Sequence, residues 1–147
     1  MKSNKTEGLP DSQEAILIVM KSLAIAGVLE AMLEKEGYRP VLASEEHVQT
    51  FSWVDQADAY VLILLDVDLN GALTDPLEII RQVEKRWKAG WALMPPTILF
   101  TTQTRSRFLL EEAGHIVFLK PFSVKGVLQE IKALLSTQVS KDLICLD

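Results

Sequence analysis

The sequence predicts a doubly wound α/β domain, and three observations carry that prediction. Short continuous apolar runs rich in branched residues, such as Tyr60 to Leu65, are bounded by polar residues and glycine. Runs of this kind read as strands buried on both faces, as in a parallel sheet. Each of the five runs is followed by a segment carrying helix-capping signals or helical periodicity. The 147 residues contain no repeat and no linker, a length that suits one domain, and an apolar content of 48% is ample for a single core. Strands alternating with helices through right-handed crossovers place helices on both faces of a five-stranded sheet, giving three α/β/α layers. The same handedness brings all the carboxyl strand ends to one edge.

Residues 1–13 are polar, contain Gly8 and Pro10, and show no period, so they are expected to form a disordered tail. Ala15 to Val19 is the first strand. Ser22 caps a helix that runs to about Glu36, where Gly37 supplies the usual C-cap. Arg39 to Ala43 is a second, shorter strand, and Ser44 with Glu45 and Glu46 opens a weak second helix. Tyr60 to Leu65 is the third strand. Thr74-Asp75-Pro76-Leu77-Glu78 combines a capping residue, Pro at the first helical position and a capping-box Glu. Ile79, Ile80, Val83 and Trp87 then share one face of a helix ending near Gly90. After Pro95-Pro96, Thr97 to Phe100 is the fourth strand, and Arg105 to Ala113 is a short helix stopped by Gly114. Ile116 to Leu119 is the fifth strand. Ser123 caps a last helix with Val124, Val127, Leu128, Ile131, Leu134 and Leu135 inward. The folded domain is thus expected over residues 14–137, with residues 138–147 as a tail without a clear signal.

Composition excludes several roles. A net charge of −5 argues against a nucleic-acid partner, which calls for a basic face. Ala15 to Leu33 has nearly the length of a membrane span, but Lys21, Ser22 and Glu30 interrupt it and no aromatic belt flanks it. A buried strand followed by an apolar helix explains it better. The single cysteine, Cys145, and the lack of a secretory signal point to a reducing, cytoplasmic setting.

Three strand ends carry chemistry. The third strand stops at Asp66, the fourth at Thr101 and the fifth at Lys120. Open α/β sheets bind ligands beyond the carboxyl ends of their strands. A carboxylate, a hydroxyl and an ammonium gathered there suit a phosphoryl group: Asp66 as nucleophile, Lys120 neutralising phosphate oxygens, Thr101 donating a hydrogen bond. Each also has a plain structural reading, since Asp66 with Asp68, Asn70 and Gly71 makes a turn, and Thr or Lys-Pro at a strand end is ordinary.

In combination, Leu-Leu-Asp66-Val, Ile-Leu-Phe-Thr101-Thr, Glu-Ala-Gly114 and Phe-Leu-Lys120-Pro-Phe, in this order and at these separations, resemble the CheY-like receiver domains of two-component response regulators. The resemblance covers about Glu14 to Leu135. It implies strand order 2-1-3-4-5, Asp66 as phosphoacceptor, Thr101 as switch hydroxyl, Lys120 as phosphate-binding lysine and a cis Lys120–Pro121 bond. It further implies a histidine kinase, a phosphotransfer protein or another signalling protein as partner, and a phosphoaccepting module, not an enzyme.

The sequence departs from that family at the metal site. The acidic pair that holds Mg²⁺ is replaced by Met20 and Lys21, so Asp66 remains for a metal and Asp68 is either a partial substitute for the pair or a turn former. A thioether and an ammonium are poor ligands for a hard cation. One unit charge at about 4 Å is worth roughly 4 kcal/mol near a surface, about three decades in affinity, so weak or absent Mg²⁺ binding and no other cofactor are expected. Lys21 is free either to lean toward Asp66 in place of the metal or to extend into water. Asn70 stands where a Pro is usual, and Val117 where the aromatic switch residue is usual, with Phe118 one place on. Leu23 to Leu29 leaves the first helix with almost no polar face, which suggests a surface covered by a partner or a second copy of the chain.

The expected function is therefore an atypical receiver acting mainly through protein contacts, with Asp66 as residual phosphoacceptor. A conventional Mg²⁺-dependent switch is the nearest alternative, if Asp68 or water rescues the metal. From a different class, Asp66-Val-Asp68 with Gly71, Leu73, Thr74 and Asp75 resembles the haloacid-dehalogenase phosphatase signature. Two extra residues before the Gly, and a position after the third strand, weigh against it.

Overall fold

A computed structural model describes residues 14–68, 76–87 and 94–146. The expected N-terminal tail, and the expectations placed on Asn70, Gly71, Leu73, Thr74, Asp75 and Gly90, lie outside these residues. Five strands, β1 (Ala15–Val19), β2 (Arg39–Leu42), β3 (Leu62–Asp66), β4 (Thr97–Thr101) and β5 (Ile116–Leu119), form one sheet in the order β2-β1-β3-β4-β5. Every neighbouring pair is parallel. The helices are α1 (Leu23–Lys35), α2 (Glu45–Thr50), α3 (Pro76–Arg86), α4 (Thr104–Glu112) and α5 (Val124–Leu146). No helix among the described residues is long and apolar enough to cross a membrane.

Local chemistry sets the element ends. Ser22 Oγ accepts from the Ile25 N–H at 3.3 Å, and Ser44 Oγ from the His47 N–H at 3.3 Å, so both serines satisfy free donors in the first helical turn. Gly37 and Gly114 take φ of 91° and 95° just past α1 and α4, a conformation that side chains with a Cβ rarely adopt. On the outer edge of the sheet, the Arg39 and Ala43 N–H groups donate inward to Glu14 and Ile18 carbonyls, and Pro40 lies between them.

Alternation along the strands divides the core between the two faces. Leu17, Val19, Ile63, Leu65, Leu99 and Val117 meet residues from α2, α3 and α4, among them Val48, Ile79, Val83 and Leu110. Ile16, Ile18, Leu62, Leu64, Ile98 and Phe100 meet Ala26, Leu29 and Leu33 of α1 and Val127, Ile131 and Leu135 of α5. β1 and β3 are buried at every position, which is why their sequences are unbroken apolar runs.

Four details differ from the sequence expectation. A 3-10 helix spans Ser52–Ala59, entered through Phe51 at φ 60°, and buries Trp53, Val54 and Ala57. Arg86 at the end of α3 secures it: Nε and Nη2 donate to the Asp55 carboxylate at 2.8 and 2.6 Å, and Nη1 to the Thr50 carbonyl at 3.1 Å. Tyr60 caps that helix by donating its N–H to the Ala57 carbonyl, so β3 starts at Leu62, not Tyr60, and includes Asp66. Val124, expected inward, is 37% exposed because it opens α5 before the helix turns onto the sheet. The backbone stays helical through Leu146, past Gln138 where the apolar period fades.

Candidate functional site

The register of the sheet assembles the site. Asp66 pairs with Phe100 across β3 and β4, and Thr101 with Leu119 across β4 and β5. One residue past Leu119, the Lys120 N–H donates to the Thr101 carbonyl at 2.8 Å, and the Lys120–Pro121 bond is cis. The carboxylate, hydroxyl and ammonium read from the sequence thus meet at one edge, as expected from parallel strand ends.

Asp66 is 2% exposed, and a buried carboxylate requires compensating partners. Its Oδ1 accepts from Lys120 Nζ at 3.0 Å and from the Asp68 N–H at 2.9 Å. Among the described residues, Oδ2 accepts no hydrogen bond. Thr101 is fully buried; its hydroxyl donates to Asp68 Oδ1 at 2.8 Å and accepts from the Gln103 N–H at 3.1 Å. Asp68 Oδ2 accepts from the Thr102 N–H at 2.7 Å and the Thr102 hydroxyl at 3.0 Å, and lies 3.6 Å from Lys120 Nζ. Asp68 and Thr102 therefore belong to the site. Sequence reasoning treated Asp68 mainly as a turn former and passed over Thr102, because their contact spans 34 residues and no local pattern signals it.

Met20 and Lys21 behave differently from each other. Met20 is buried in the core between the sheet and the α1/α5 layer. Lys21 is exposed and makes no ion pair with Asp66, so it does not lean into the metal's place. Lys120 is the cation that reaches Asp66. The donor set does not fit Mg²⁺: Asp66 Oδ1 is held by an ammonium, both Asp68 oxygens are taken by protein donors, and β1 is followed by a thioether and a cation. Among the described residues, no three His, Cys, Asp or Glu side chains gather as a metal group.

The aromatic residues also depart from the expectation for a switch. Val117 is buried against the α2–α4 layer. Phe118 instead stacks on Phe100 with centroids 6.0 Å apart, and Phe122 approaches Phe100 at 5.0 Å, on the α1/α5 side. One residue of displacement along a strand moves a side chain to the opposite face.

No protein-family profile matches the chain, and no curated protein matches it in sequence. Solved structures do. A CheY-like receiver domain protein from Methanospirillum hungatei superposes with a TM-score of 0.65 at 22% identity, over 88% of this chain and 99% of that one. The chain has the CheY-like receiver fold. A two-component response regulator from Clostridium difficile agrees, with a TM-score of 0.61 and 22% identity over 84% of this chain and 97% of its own. NtrX from Brucella abortus gives 0.63 at 19% identity over 91% of this chain, but the receiver-fold chain spans only 29% of NtrX. At these identities the likeness is one of architecture, including the strand order that the resemblance implies.

Proposed function

We propose that this chain is an atypical receiver-type signalling module that acts mainly through protein–protein contacts, with Asp66 as a residual phosphoacceptor. The observation that carries this reading is the 3.0 Å Asp66–Lys120 pair at the carboxyl edge of a receiver fold whose first strand is followed by Met20 and Lys21 instead of acids. Asp66 Oδ2 is the oxygen left to attack phosphorus. In that step the new P–O bond forms as the acyl–phosphate bond of the donor breaks, and a carboxylate leaves with the bonding pair. Lys120 offsets charge on the transferred group.

Incubation with acetyl phosphate and Mg²⁺, followed by intact mass, tests the reading. A minor fraction of the chain gains one phosphoryl group, and Asp66→Asn gains none. Near-complete, Mg²⁺-dependent modification overturns it in favour of a conventional switch, in which a kinase or phosphotransfer protein drives the response.

The contact surface we propose is α1. Leu23 is 79% and Val28 51% exposed on that helix, and we assign these exposed apolar residues to contact with a second copy of the chain or with a signalling partner. Sedimentation of wild type and Leu23→Glu distinguishes the two: a dimer that dissociates in the variant indicates self-association, and a monomer at all concentrations leaves the partner.

A further inference from the structure

We infer that the Asp68 carboxylate is the built-in occupant of the anion cradle at this edge, holding Thr101 and Thr102 as an incoming phosphoryl group would otherwise hold them. This deepens, and rests on, the reading of Asp66 as phosphoacceptor. The cradle consists of the Thr101 hydroxyl, the Thr102 N–H and hydroxyl, and the Lys120 ammonium. These are the donor types that bind phosphate oxygens, and all of them converge on one carboxylate. At 2.7 Å, the Thr102 N–H contact is at the short end of N–H···O hydrogen bonds, and the Thr101 hydroxyl contact at 2.8 Å has the usual O–H···O length.

The backbone delivers Asp68 there. The Val67 N–H donates to the Phe100 carbonyl at 2.9 Å, extending the β3–β4 ladder one residue beyond Asp66. Asp66 Oδ1 then accepts the Asp68 N–H, closing an Asx-type turn that swings the second carboxylate across the end of β4. Asp68 is only 16% exposed at its side chain, so its charge is paired inside the site and not solvated outside it.

A consequence follows for regulation. A phosphoryl group on Asp66 reaches the Thr101 hydroxyl and the Thr102 amide only if Asp68 gives them up. Until then Thr101 is committed inward without any modification, and the pocket rests in one state. Asp68 also adds negative charge where a phosphodonor must approach, which opposes entry electrostatically. If Asp68 served the turn alone, its loss would leave Thr102 unaffected.

The test uses the full chain, inorganic phosphate as probe, and amide NMR of Thr102. In wild type, the Thr102 amide resonates downfield and responds only weakly to phosphate. In Asp68→Ala it moves upfield and returns downfield as phosphate is added, with an apparent Kd at least about tenfold tighter than wild type. Asp68→Asn keeps the shape and an acceptor oxygen, gives an intermediate response, and guards against a misfolded alanine variant. A Thr102 resonance unmoved in both variants, or equal phosphate response in all three proteins, overturns the inference. Failure of the phosphoacceptor role is read separately: an Asp68→Ala cradle that binds phosphate, while acetyl phosphate leaves the Asp66 mass unchanged, upholds the occupant and removes the acceptor.

Discussion

Lys120 Nζ lies 3.0 Å from Asp66 Oδ1, joining two side chains 54 residues apart where they are 10% and 3% exposed. Removing one partner of a buried pair leaves an uncompensated charge, and that cost exceeds the net worth of the pair itself. Lys120→Met should therefore destabilise the fold by about 3 kcal/mol. Guanidinium unfolding checks this, and Asp66→Asn combined with Lys120→Met should recover most of the loss. A double variant as unstable as the single one would locate the damage in packing, not in charge.

Thr101 is the second sensitive position. Its hydroxyl both donates to Asp68 and accepts from the Gln103 N–H in a fully buried site. Thr101→Val preserves the shape and strands both partners, at an expected cost of about 2 kcal/mol. Thr101→Ser keeps the hydroxyl and should cost clearly less. Denaturant midpoints of the two variants separate hydrogen bonding from the loss of a methyl group.

Phe100 ties the core to the Lys120 turn by packing against both Phe118 and Phe122. It is fully buried, so Phe100→Ala should cost about 4 kcal/mol through lost burial and the cavity left behind. Thermal unfolding reads the loss. Phe100→Leu, which refills much of the space, should retain most of the stability.

His115 makes stability fall in mild acid. Burial holds its imidazole below the usual 6.5, with Glu84 opposing the shift, so the fold prefers the neutral ring. The unfolded chain takes up the proton first as the pH drops through 6.5. Stability from this group is therefore level above that pH, declines below it, and levels again once the folded ring is also charged. His115→Gln should flatten that portion of the profile, as measured by urea midpoints between neutral pH and pH 5.

Much of the architecture was legible because the strands are buried on both faces, so runs such as Ala15–Val19 carry a signal that needs no context. Ser22 and Ser44 marked helix starts for the same local reason, each satisfying an N–H three residues on. Asp66, Thr101 and Lys120 were identifiable as strand-end residues, and parallel topology alone brings strand ends together. What escaped is long-range or aperiodic. The 3-10 helix at Ser52–Ala59 has no 3.6-residue period, bends at Gln56, and is held by Arg86 from another element. Asp68 reads locally as a turn residue, and only the end of β4 gives its two oxygens a different task.

Pro40 limits how this molecule can meet others. Because Arg39 and Ala43 turn their N–H groups toward β1, Pro40 and Leu42 face away from it on the sheet's open margin. Proline has no hydrogen to offer, so an extra chain trying to zip along that side finds a broken row of donors. Recognition by strand addition is thereby discouraged on the β2 side, and neighbours are steered toward the helical walls.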